Sequence, residues 1–484
     1  MARTAGLWEL GPGRIRALTL MSANAQLDSI LAQPRSSPVN RSILRAAASV
    51  TAAGIIVKLA AMGKEIVVAG VYGRSDAMDA FLAAFLIPNL LINLIAESMN
   101  QALIPTLIRV RLAEGQTCAR QLLSNSTVCL CLLLAVASAV MALAARAFFP
   151  LIASNFGAAK LDLSVHLFYA LLPCVLLGGI ASNCTAVLNS RGQFALPALA
   201  PALVPVSIVA ITLTLHRELG IAALVVSTLA GTAIHASVMA FSLQPHGCGF
   251  RFQWHGMREP ALAEPTREVA RQFVPVLLSS VVASGGLLVD QAMAAMLPAG
   301  SVSALVFAGR FVSVAMALLA GSISTALTPA FSTLIAQRDW RGCRDTLATW
   351  TRRTALVSAP IAAALIAFAR PLVRLTFQHG AFGRSDTAVV ASVLAMYAVQ
   401  IPFYVVSRVD YRFIIAMRRT DLVFYCGALN LALDVVLNIV LMRFMGIAGI
   451  ALATSLWTVS TWAFLRYWSR RLLSREQGSG TGDR

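Results

Sequence analysis

The chain has 484 residues, of which 58% are hydrophobic and only 12% are charged. Soluble domains carry about 25% charged residues, so this chain lacks the charge that a water-facing surface needs, and soluble and disordered proteins are excluded. A formal net charge of +18 would suggest nucleic acid as a partner of a soluble protein. Here the positive residues lie between apolar runs. We therefore exclude nucleic acid and predict a polytopic membrane protein in contact with membrane lipids.

The first forty residues are polar and contain no apolar run of membrane length. They also lack the hydrophobic segment and cleavage site of a signal peptide. We predict a cytoplasmic N-terminal extension over residues 1–44, in which Met21 is a second candidate start beside Met1.

Apolar runs of about twenty residues, the length that crosses a bilayer as a helix, recur along the rest of the chain. The predicted spans are 46–71, 79–106, 124–148, 163–187, 195–215, 219–242, 271–296, 303–330, 353–369, 387–406, 420–442 and 446–466. The sequence therefore predicts an all-α polytopic membrane protein with about twelve transmembrane helices.

The lysines and arginines between the spans are distributed unequally. The N-terminus and the connections after even-numbered spans contain 28 of them, including Arg271, Arg353 and Arg466 at the adjoining span ends. The connections after odd-numbered spans contain eight, including Arg146 near the end of the third span. Because Lys and Arg accumulate in cytoplasmic loops, we predict that both termini are cytoplasmic. The predicted location is the bacterial cytoplasmic membrane.

The sequence also contains an internal repeat. A shift of 224 residues aligns residues 79–123 with residues 303–347, and it matches Pro105 with Pro329 and Arg120 with Arg344. Six spans separate the two copies, so the halves have parallel topology, as in carriers that work by alternating access. The predicted domains are two pseudo-symmetric six-helix lobes around a central cavity (45–243 and 271–468), a cytoplasmic linker (244–270) and a cytoplasmic tail (469–484).

Charged and amide side chains are rare within the predicted spans. A charge near the bilayer centre costs about 2.5–3.5 kcal/mol on insertion scales, so these residues are candidates for function. The candidates that we select from them are Lys58, Lys64 and Glu65 in the first span, Asp79, Asn89, Glu97 and Gln101 in the second, Asp290 in the seventh and Arg310 in the eighth. Since these four spans form repeat-equivalent pairs, we predict that their polar groups face one another across the pseudo-symmetry axis.

Two interpretations of the intramembrane charges are open. In the first, they are structural ion pairs, Lys64 with Glu65 and Asp290 with Arg310. In the second, Lys58, Lys64 and Arg310 bind the phosphate or pyrophosphate of an anionic substrate. A pair that only stabilises can be replaced by apolar residues at little cost, which favours the second interpretation for the set as a whole.

The sequence contains no motif of an enzyme or of a cofactor-binding protein. A phosphate-binding loop, a dinucleotide-binding glycine motif and a nucleophile elbow are all absent. The eight cysteines include no CxxC pair and the six histidines are scattered, so neither a metal site nor a disulfide framework is indicated. We predict a transporter without catalytic residues or cofactors, driven by a coupling ion or by the membrane potential.

Several longer motifs occur in order along the chain. They are Ser-Asp-Ala-Met-Asp-Ala-Phe at 75–81, Ile-Pro-Asn-Leu-Leu at 87–91, Ala-Glu-Ser-Met-Asn-Gln-Ala-Leu-Ile-Pro at 96–105, and further segments at 188–201, 300–311 and 376–382. These motifs resemble those of the MurJ (MviN) lipid II flippases, a family of the multidrug/oligosaccharidyl-lipid/polysaccharide exporter superfamily. The resemblance covers roughly residues 41–470.

The resemblance implies two six-helix lobes around a cationic cavity, in agreement with the repeat. It also implies a substrate, an undecaprenyl-pyrophosphate-linked sugar precursor of peptidoglycan that crosses the membrane by alternating access, and glycan-synthesis enzymes as further partners. By the same resemblance, the substrate-binding residues are Lys58, Lys64, Arg310, Asn89 and Gln101, and the residues of gates and ion pairs are Glu65, Asp79, Glu97 and Asp290.

The sequence departs from the family pattern at several positions. Lys58 and Lys64 replace arginines, which loses bidentate phosphate binding. Ile92 and Asn93 replace two further arginines, and Gly309 stands where an aspartate is common. The chain also stops after the twelfth span, whereas members with fourteen helices use the last two to hold the lipid tail. A flippase for another lipid-linked glycan, such as an exopolysaccharide or surface-polysaccharide unit, is therefore an alternative.

Two further hypotheses belong to other functional classes. A multidrug or cation antiporter of the same superfamily would need acidic residues to dominate the cavity, whereas the candidates here are mixed with a cationic excess. A scaffold for a glycan-synthesis complex would make the ion pairs purely structural, so that charge-swapped double variants would keep full function.

Overall fold

A computed structural model describes residues 38–153, 155–244 and 260–479, with side chains from Val50 onward except at 260–263, 283, 321–326 and 477–479. Throughout these residues every regular element is a helix, which confirms the prediction of an all-α protein. The predicted extension lies largely outside the described residues, as does most of the predicted linker.

A helix covers each of the twelve predicted spans. In the first half these are α1 (Pro38–Tyr72), α2 (Asp76–Ala113), α3 (Gly115–Ile152), α4 (Ala158–Leu171 and Pro173–Ser190), α5 (Ala195–Leu219) and α6 (Ala222–Phe241). In the second half they are α7 (Pro260–Ala295), α8 (Ser301–Ala336), α9 (Trp340–Ala367 and Ala369–Phe377), α10 (Arg384–Ala416), α11 (Thr420–Met445) and α12 (Ile447–Ser479).

The composition of these helices suits a membrane. Within the described ranges, nine helices are long and apolar enough to cross a bilayer, or eleven if each of two bent pairs forms one span. The bent pairs are the two pieces of α4, at 41°, and the two pieces of α9, at 69°. Helix α1 is not among these nine helices or the bent pairs. Its described part carries three charged residues, Lys58, Lys64 and Glu65.

Local sequence signals set the helix ends and one irregularity. The Ser75 side chain accepts a hydrogen bond from the Met78 backbone N–H and begins α2, while Gly73 adopts the left-handed conformation that ends α1. Within α2, Pro88 removes a backbone donor and a single π-helical turn follows at Ile92–Ala96. The π turn changes which face of α2 carries the residues after it.

Helix α7 joins the two halves. It packs against α2 and α3 as well as against α11 of its own half. The hydroxyls of Ser98 in α2 and Ser280 in α7 lie 3.1 Å apart, and Arg109 forms an ion pair with Glu268. These contacts place the second and seventh helices side by side.

The connections after odd-numbered helices meet at one end of the bundle, which we call the odd-loop side. There the Ala381 N–H donates to the Gly70 carbonyl at 2.7 Å, and the Asn155 amide donates to the Met296 carbonyl at 3.0 Å. Each of these hydrogen bonds joins the first half of the chain to the second. The opposite end is the even-loop side.

Candidate functional site

Charges from α1 and α8 form one cluster between the two halves. Glu65 in α1 has a side chain that is only 1% exposed, and one of its oxygens, Oε1, contacts both neighbouring cations. Lys64 Nζ lies 2.8 Å from this oxygen, and Arg310 Nε of α8 donates to it at 2.9 Å. The second oxygen, Oε2, is buried without a hydrogen-bond partner. The predicted pair of Lys64 with Glu65 is therefore present, and Arg310 joins it from the other half.

Lys58 gives this cluster its excess positive charge. It is half-buried in α1, two turns before Glu65, and within the described residues no carboxylate lies within 4 Å of its amine. Lys64 and Arg310 thus share one carboxylate, and Lys58 adds a third cation on the helix that carries Glu65. Such an excess in a polar membrane interior suits an anion, for which Arg offers a planar fork and Lys a point charge.

Asp290 does not pair with Arg310, so that predicted ion pair is wrong. Its carboxylate instead accepts hydrogen bonds from Asn438 Nδ2 at 2.9 Å and from Thr454 Oγ1 at 3.0 Å. Asn438 Nδ2 also donates to Asp434 Oδ1 at 3.1 Å. Glu65 holds Arg310 because α1 and α8 meet between the halves, whereas Asp290 faces its own half.

The sequence analysis missed Asp434, Asn438 and Thr454. Asp434 lies inside the predicted eleventh span, so the cost of an intramembrane charge could have identified it. Asn438, one helical turn later, then falls on the same face. Thr454 carried no comparable signal, because threonine is common in membrane helices.

The Asp290 cluster borders a cavity of about 490 Å³ within the second half. Its lining combines acidic and amide groups, among them Gln400 of α10, with the aromatic side chains of Tyr397 in α10 and Trp457 in α12. Oxygen atoms supply the acceptors, and no Lys, Arg or His of the described chain lies within 4 Å of Asp290 or Asp434. Chemically, this set of oxygens suits a hard monovalent cation or a proton.

The amide and acidic residues of α2 separate into different environments. Asn100 donates to the Ser182 carbonyl at 2.9 Å and to its hydroxyl at 2.8 Å, and Ser182 Oγ in turn donates to Glu97 at 3.5 Å. Glu97 therefore contacts its own half. Gln101 lines an open cavity of about 400 Å³ beside α7, and Asn89 is half-buried without a side-chain hydrogen bond to any described residue.

Asp79 joins the two halves at the odd-loop side. It is 1% exposed, and its carboxylate accepts from the Gly300 N–H at 2.7 Å and from the Ser303 N–H at 2.9 Å. These N–H groups stand at the start of α8, where backbone donors lack partners within the helix and the helix dipole favours negative charge. Lys160 of α4 lies 3.2 Å from the same carboxylate.

Arg74 adds a second connection at this side. Its Nε donates to the Gly300 carbonyl at 2.8 Å, and its Nη1 lies 3.3 Å from Asp386 Oδ1 at the start of α10. Beside Arg74, a glycine allows the backbones of the two halves to approach each other closely. A Cβ at Gly73 would lie 2.7 Å from the Ala381 carbonyl oxygen, so only glycine fits this contact. The odd-loop side is thus closed by specific contacts between the halves.

Together, the helical halves, the cationic cluster between them and the contacts at the odd-loop side define a polytopic membrane transporter. Comparison with known proteins identifies the family. Residues 68–482 match the family model described as "Lipid II flippase MurJ". The chain therefore belongs to the lipid II flippase MurJ family.

Curated relatives and solved structures agree with this assignment. The lipid II flippase MurJ of Burkholderia cenocepacia is 28% identical over 369 residues, which cover 74% of this chain and 70% of the relative. The probable lipid II flippase MurJ of Bdellovibrio bacteriovorus is 26% identical and covers 85% of this chain and 79% of its own. A solved structure of lipid II flippase MurJ in an inward closed conformation matches with a TM-score of 0.75, at 21% identity, over 87% of both chains. An inward-facing MATE multidrug transporter matches with a TM-score of 0.73, at 13% identity, over 89% of this chain and 99% of its own.

Proposed function

We propose that this protein moves lipid II, an undecaprenyl-pyrophosphate-linked peptidoglycan precursor, across the cytoplasmic membrane by alternating access. Family membership and the names of its curated relatives support this substrate. The observation that carries the proposal is the shared contact of Lys64 and Arg310 with Glu65. This contact assembles cations from both halves of the chain at one point.

The cationic cluster is the proposed site for the pyrophosphate. Lys58, Lys64 and Arg310 supply the positive charge, and Glu65 holds two of these cations in position before the substrate arrives. Preorganised charges of this kind bind an anion without a further cost of reorganisation. Asn89 and Gln101, whose side-chain amides form no hydrogen bond with a described residue, would then donate to hydroxyls of the attached sugars.

Closure at the odd-loop side is the proposed gate. By the distribution of Lys and Arg this side is periplasmic and both termini are cytoplasmic. Asp79 and Arg74 would hold the periplasmic side closed while the cavity accepts substrate from the cytoplasm. Their contacts would break when the halves rock to the opposite state. Glu97 and Asp290 contact their own halves, so we do not assign them to this gate.

The Asp290 cluster is the proposed site of energy coupling. Two carboxylates with no cationic side chain within 4 Å in the described part of the chain can take up a proton or a monovalent cation. Uptake would change the charge of a cavity wall formed by α7, α8, α10, α11 and α12. This arrangement agrees with transport driven by an ion gradient or by the membrane potential.

The alternative substrates have less support. Another lipid-linked glycan would use the same pyrophosphate site, but the curated relatives carry the lipid II name. A cation antiporter is disfavoured by the excess of positive charge at the cluster between the halves. In the described part of the chain, Lys58 has no carboxylate within 4 Å of its amine. A scaffold that does not transport has no need of such a cation.

Complementation tests the function and the site. The wild-type chain is expressed in a strain that depends on it after depletion of the resident lipid II flippase, beside Lys64→Ala, Arg310→Ala and the control Arg352→Ala. Arg352 is an exposed arginine of α9 outside the cluster. We expect growth with the wild type and the control, no growth with the other two, and equal membrane insertion of all four by immunoblot.

The outcomes separate the substrate from the residues. Lysis of cells that express the wild-type chain would contradict lipid II as the substrate and favour another lipid-linked glycan. Normal growth with Lys64→Ala or Arg310→Ala would contradict the assignment of that residue.

A further inference from the structure

Two arginines near the even-loop end of α10 are held by tyrosine rings. Arg408 Nη2 donates to the Tyr404 hydroxyl at 2.6 Å, and its Cζ lies 4.4 Å from the Tyr404 ring centroid and 5.6 Å from that of Tyr411. The Cζ of Arg412 lies 5.7 Å from the Tyr411 ring on the same helix. We call these four residues the arginine clasp.

The clasp lies within a helix rather than in a loop. The predicted tenth span ended at residue 406, so Arg408 and Arg412 counted as loop cations, but α10 continues to Ala416. At 1.5 Å per residue, Arg408 lies about 12 Å before the end of α10. Both arginines are half-buried. Their charges are therefore only partly solvated by water.

No acidic side chain neutralises the clasp. Among the described residues, no carboxylate lies within 4 Å of Arg408 or Arg412, and Arg412 Nε is buried without an acceptor. Asp410, the acidic residue between them in sequence, is fully buried and pairs with Arg466 of α12 at 3.1 Å. Its charge is already engaged elsewhere.

This arrangement is unfavourable without an anion. Like charges one helical turn apart repel each other, and a buried guanidinium donor without an acceptor loses its hydration without replacement. The tyrosine rings attract the cations and fix the planes of the guanidinium groups, but they bring no negative charge. Two fixed guanidinium forks match the oxygens of phosphate groups.

The tyrosines of the clasp lie on the face of α10 that carries Gln400. At 100° per residue, Tyr404 and Tyr411 fall within about 40° of Gln400 around the helix axis, and Gln400 lines the cavity of the second half. Arg408 and Arg412 lie about 80° and 120° from Gln400, so the arginines flank this face.

We propose that the arginine clasp binds the phosphate or diphosphate group of a membrane lipid with a net negative head group, at a site separate from Lys58, Lys64 and Arg310. Arg408 and Arg412 supply the charge and the donors, and Tyr404 and Tyr411 hold the guanidinium groups in position. The clasp goes beyond the proposed function, because it requires neither lipid II nor transport.

Arginine-specific modification by phenylglyoxal, followed by peptide mass spectrometry, tests the site in the full chain. The purified protein is embedded in phosphatidylcholine nanodiscs and modified with and without inorganic pyrophosphate. We expect pyrophosphate to slow modification of Arg408 and Arg412 at least threefold, while exposed Arg352 is unaffected. Equal modification rates with and without pyrophosphate would overturn the proposal. Protection at Arg310 in the same digest reports the central cluster independently, so failure of either site is seen separately.

Two further arms identify the source of the phosphate. One adds undecaprenyl diphosphate to the phosphatidylcholine nanodiscs, and the other replaces a third of the lipid by phosphatidylglycerol. Protection of the clasp by the first alone indicates the substrate's diphosphate, and protection by the second indicates a bilayer phospholipid. Protection by neither lipid would overturn the assignment to a lipid.

A substitution confirms the role of the fork. Arg408→Lys keeps the positive charge but loses the planar donor pair, so we expect about tenfold weaker protection of Arg412 by pyrophosphate. The matched control, Arg352→Lys, should leave that protection unchanged. Unaltered protection in Arg408→Lys would contradict a bidentate role for Arg408.

Discussion

Asp79 in α2 accepts a hydrogen bond from the backbone N–H of Ser303 in α8, at 2.9 Å and across a separation of 224 residues. This separation equals the period of the internal repeat, so the two positions are equivalent in the two halves. Equivalent points that touch must lie beside the symmetry axis. The axis therefore passes through the closed contact at the odd-loop side, where the carboxylate of one half caps the helix of the other.

The first prediction concerns this cap. Asp79→Asn removes the charge at the start of α8 and weakens one of the two hydrogen bonds that the carboxylate accepts from backbone N–H groups there. We expect a loss of about 1–2 kcal/mol from the closed state, or about five- to thirtyfold in the ratio of open to closed molecules. Spin-label distances between cysteines introduced at exposed positions 162 and 385 measure this ratio. The control Asp76→Asn removes a 65% exposed carboxylate that pairs only with Lys160. An identical distance distribution in Asp79→Asn and the wild type would count against the cap.

The second prediction concerns the close approach at Gly73. Its φ is +60°, and an added Cβ would lie 2.7 Å from the backbone oxygen of Ala381. Gly73→Ala should therefore both strain the local backbone, by about 1–2 kcal/mol, and open the odd-loop side. Gly115 is a matched control, since its φ is +89° but a Cβ there would meet no atom within 4 Å. We expect Gly115→Ala to lower the melting temperature without changing the 162–385 distance. The same unchanged distance in Gly73→Ala would contradict the role of this contact.

The third prediction concerns the amide that bridges two carboxylates. Asn438→Leu removes the donor shared by Asp290 and Asp434, which leaves buried acceptors without partners. We expect about 2–3 kcal/mol lower stability toward thermal unfolding in detergent. Asn430→Leu is the control on the same helix, because Asn430 donates only to a cysteine sulfur at 3.8 Å. Equal destabilisation by the two variants would mean that the carboxylates do not depend on Asn438.

The fourth prediction concerns the buried pair of Asp410 and Arg466. Arg466→Met leaves the fully buried Asp410 carboxylate without its cation, and we expect a loss of about 3–5 kcal/mol. The double variant Asp410→Leu/Arg466→Met should recover most of this stability, because packed apolar residues can replace a structural ion pair. Thermal unfolding measures both variants. If the double variant unfolds at the same temperature as Arg466→Met, the ion pair has a role that packed apolar residues do not replace.

Several features were predictable because they are encoded locally. Apolar runs predicted the helices, since each backbone polar group in a bilayer must be satisfied within its own segment. The repeat predicted that α2 and α8 are equivalent, and the cost of intramembrane charge identified Glu65 and Arg310 as candidates. The predicted positions of the helix ends were less accurate, as at α10. A helix continues past the apolar run wherever neighbouring helices pack on it.

The partners of each charge were not predictable in the same way. Periodicity places a residue on a face of its own helix, but it does not state which residue of a distant helix that face meets. Asp290 and Arg310 both face the interior, yet Arg310 contacts Glu65 and Asp290 contacts Asn438. The difference depends on how α7 packs between α2, α3 and α11.

The sequence by itself determined the class of protein, the helical spans, the two-half organisation and the short list of intramembrane charges. These follow from hydrophobicity and spacing, which act over a few helical turns. Only the tertiary structure decided which charges share a site, which residues close the odd-loop side, and that Arg408 and Arg412 lie together with no described carboxylate within 4 Å. Those relationships join residues up to hundreds of positions apart, and the packing of helices against one another sets them.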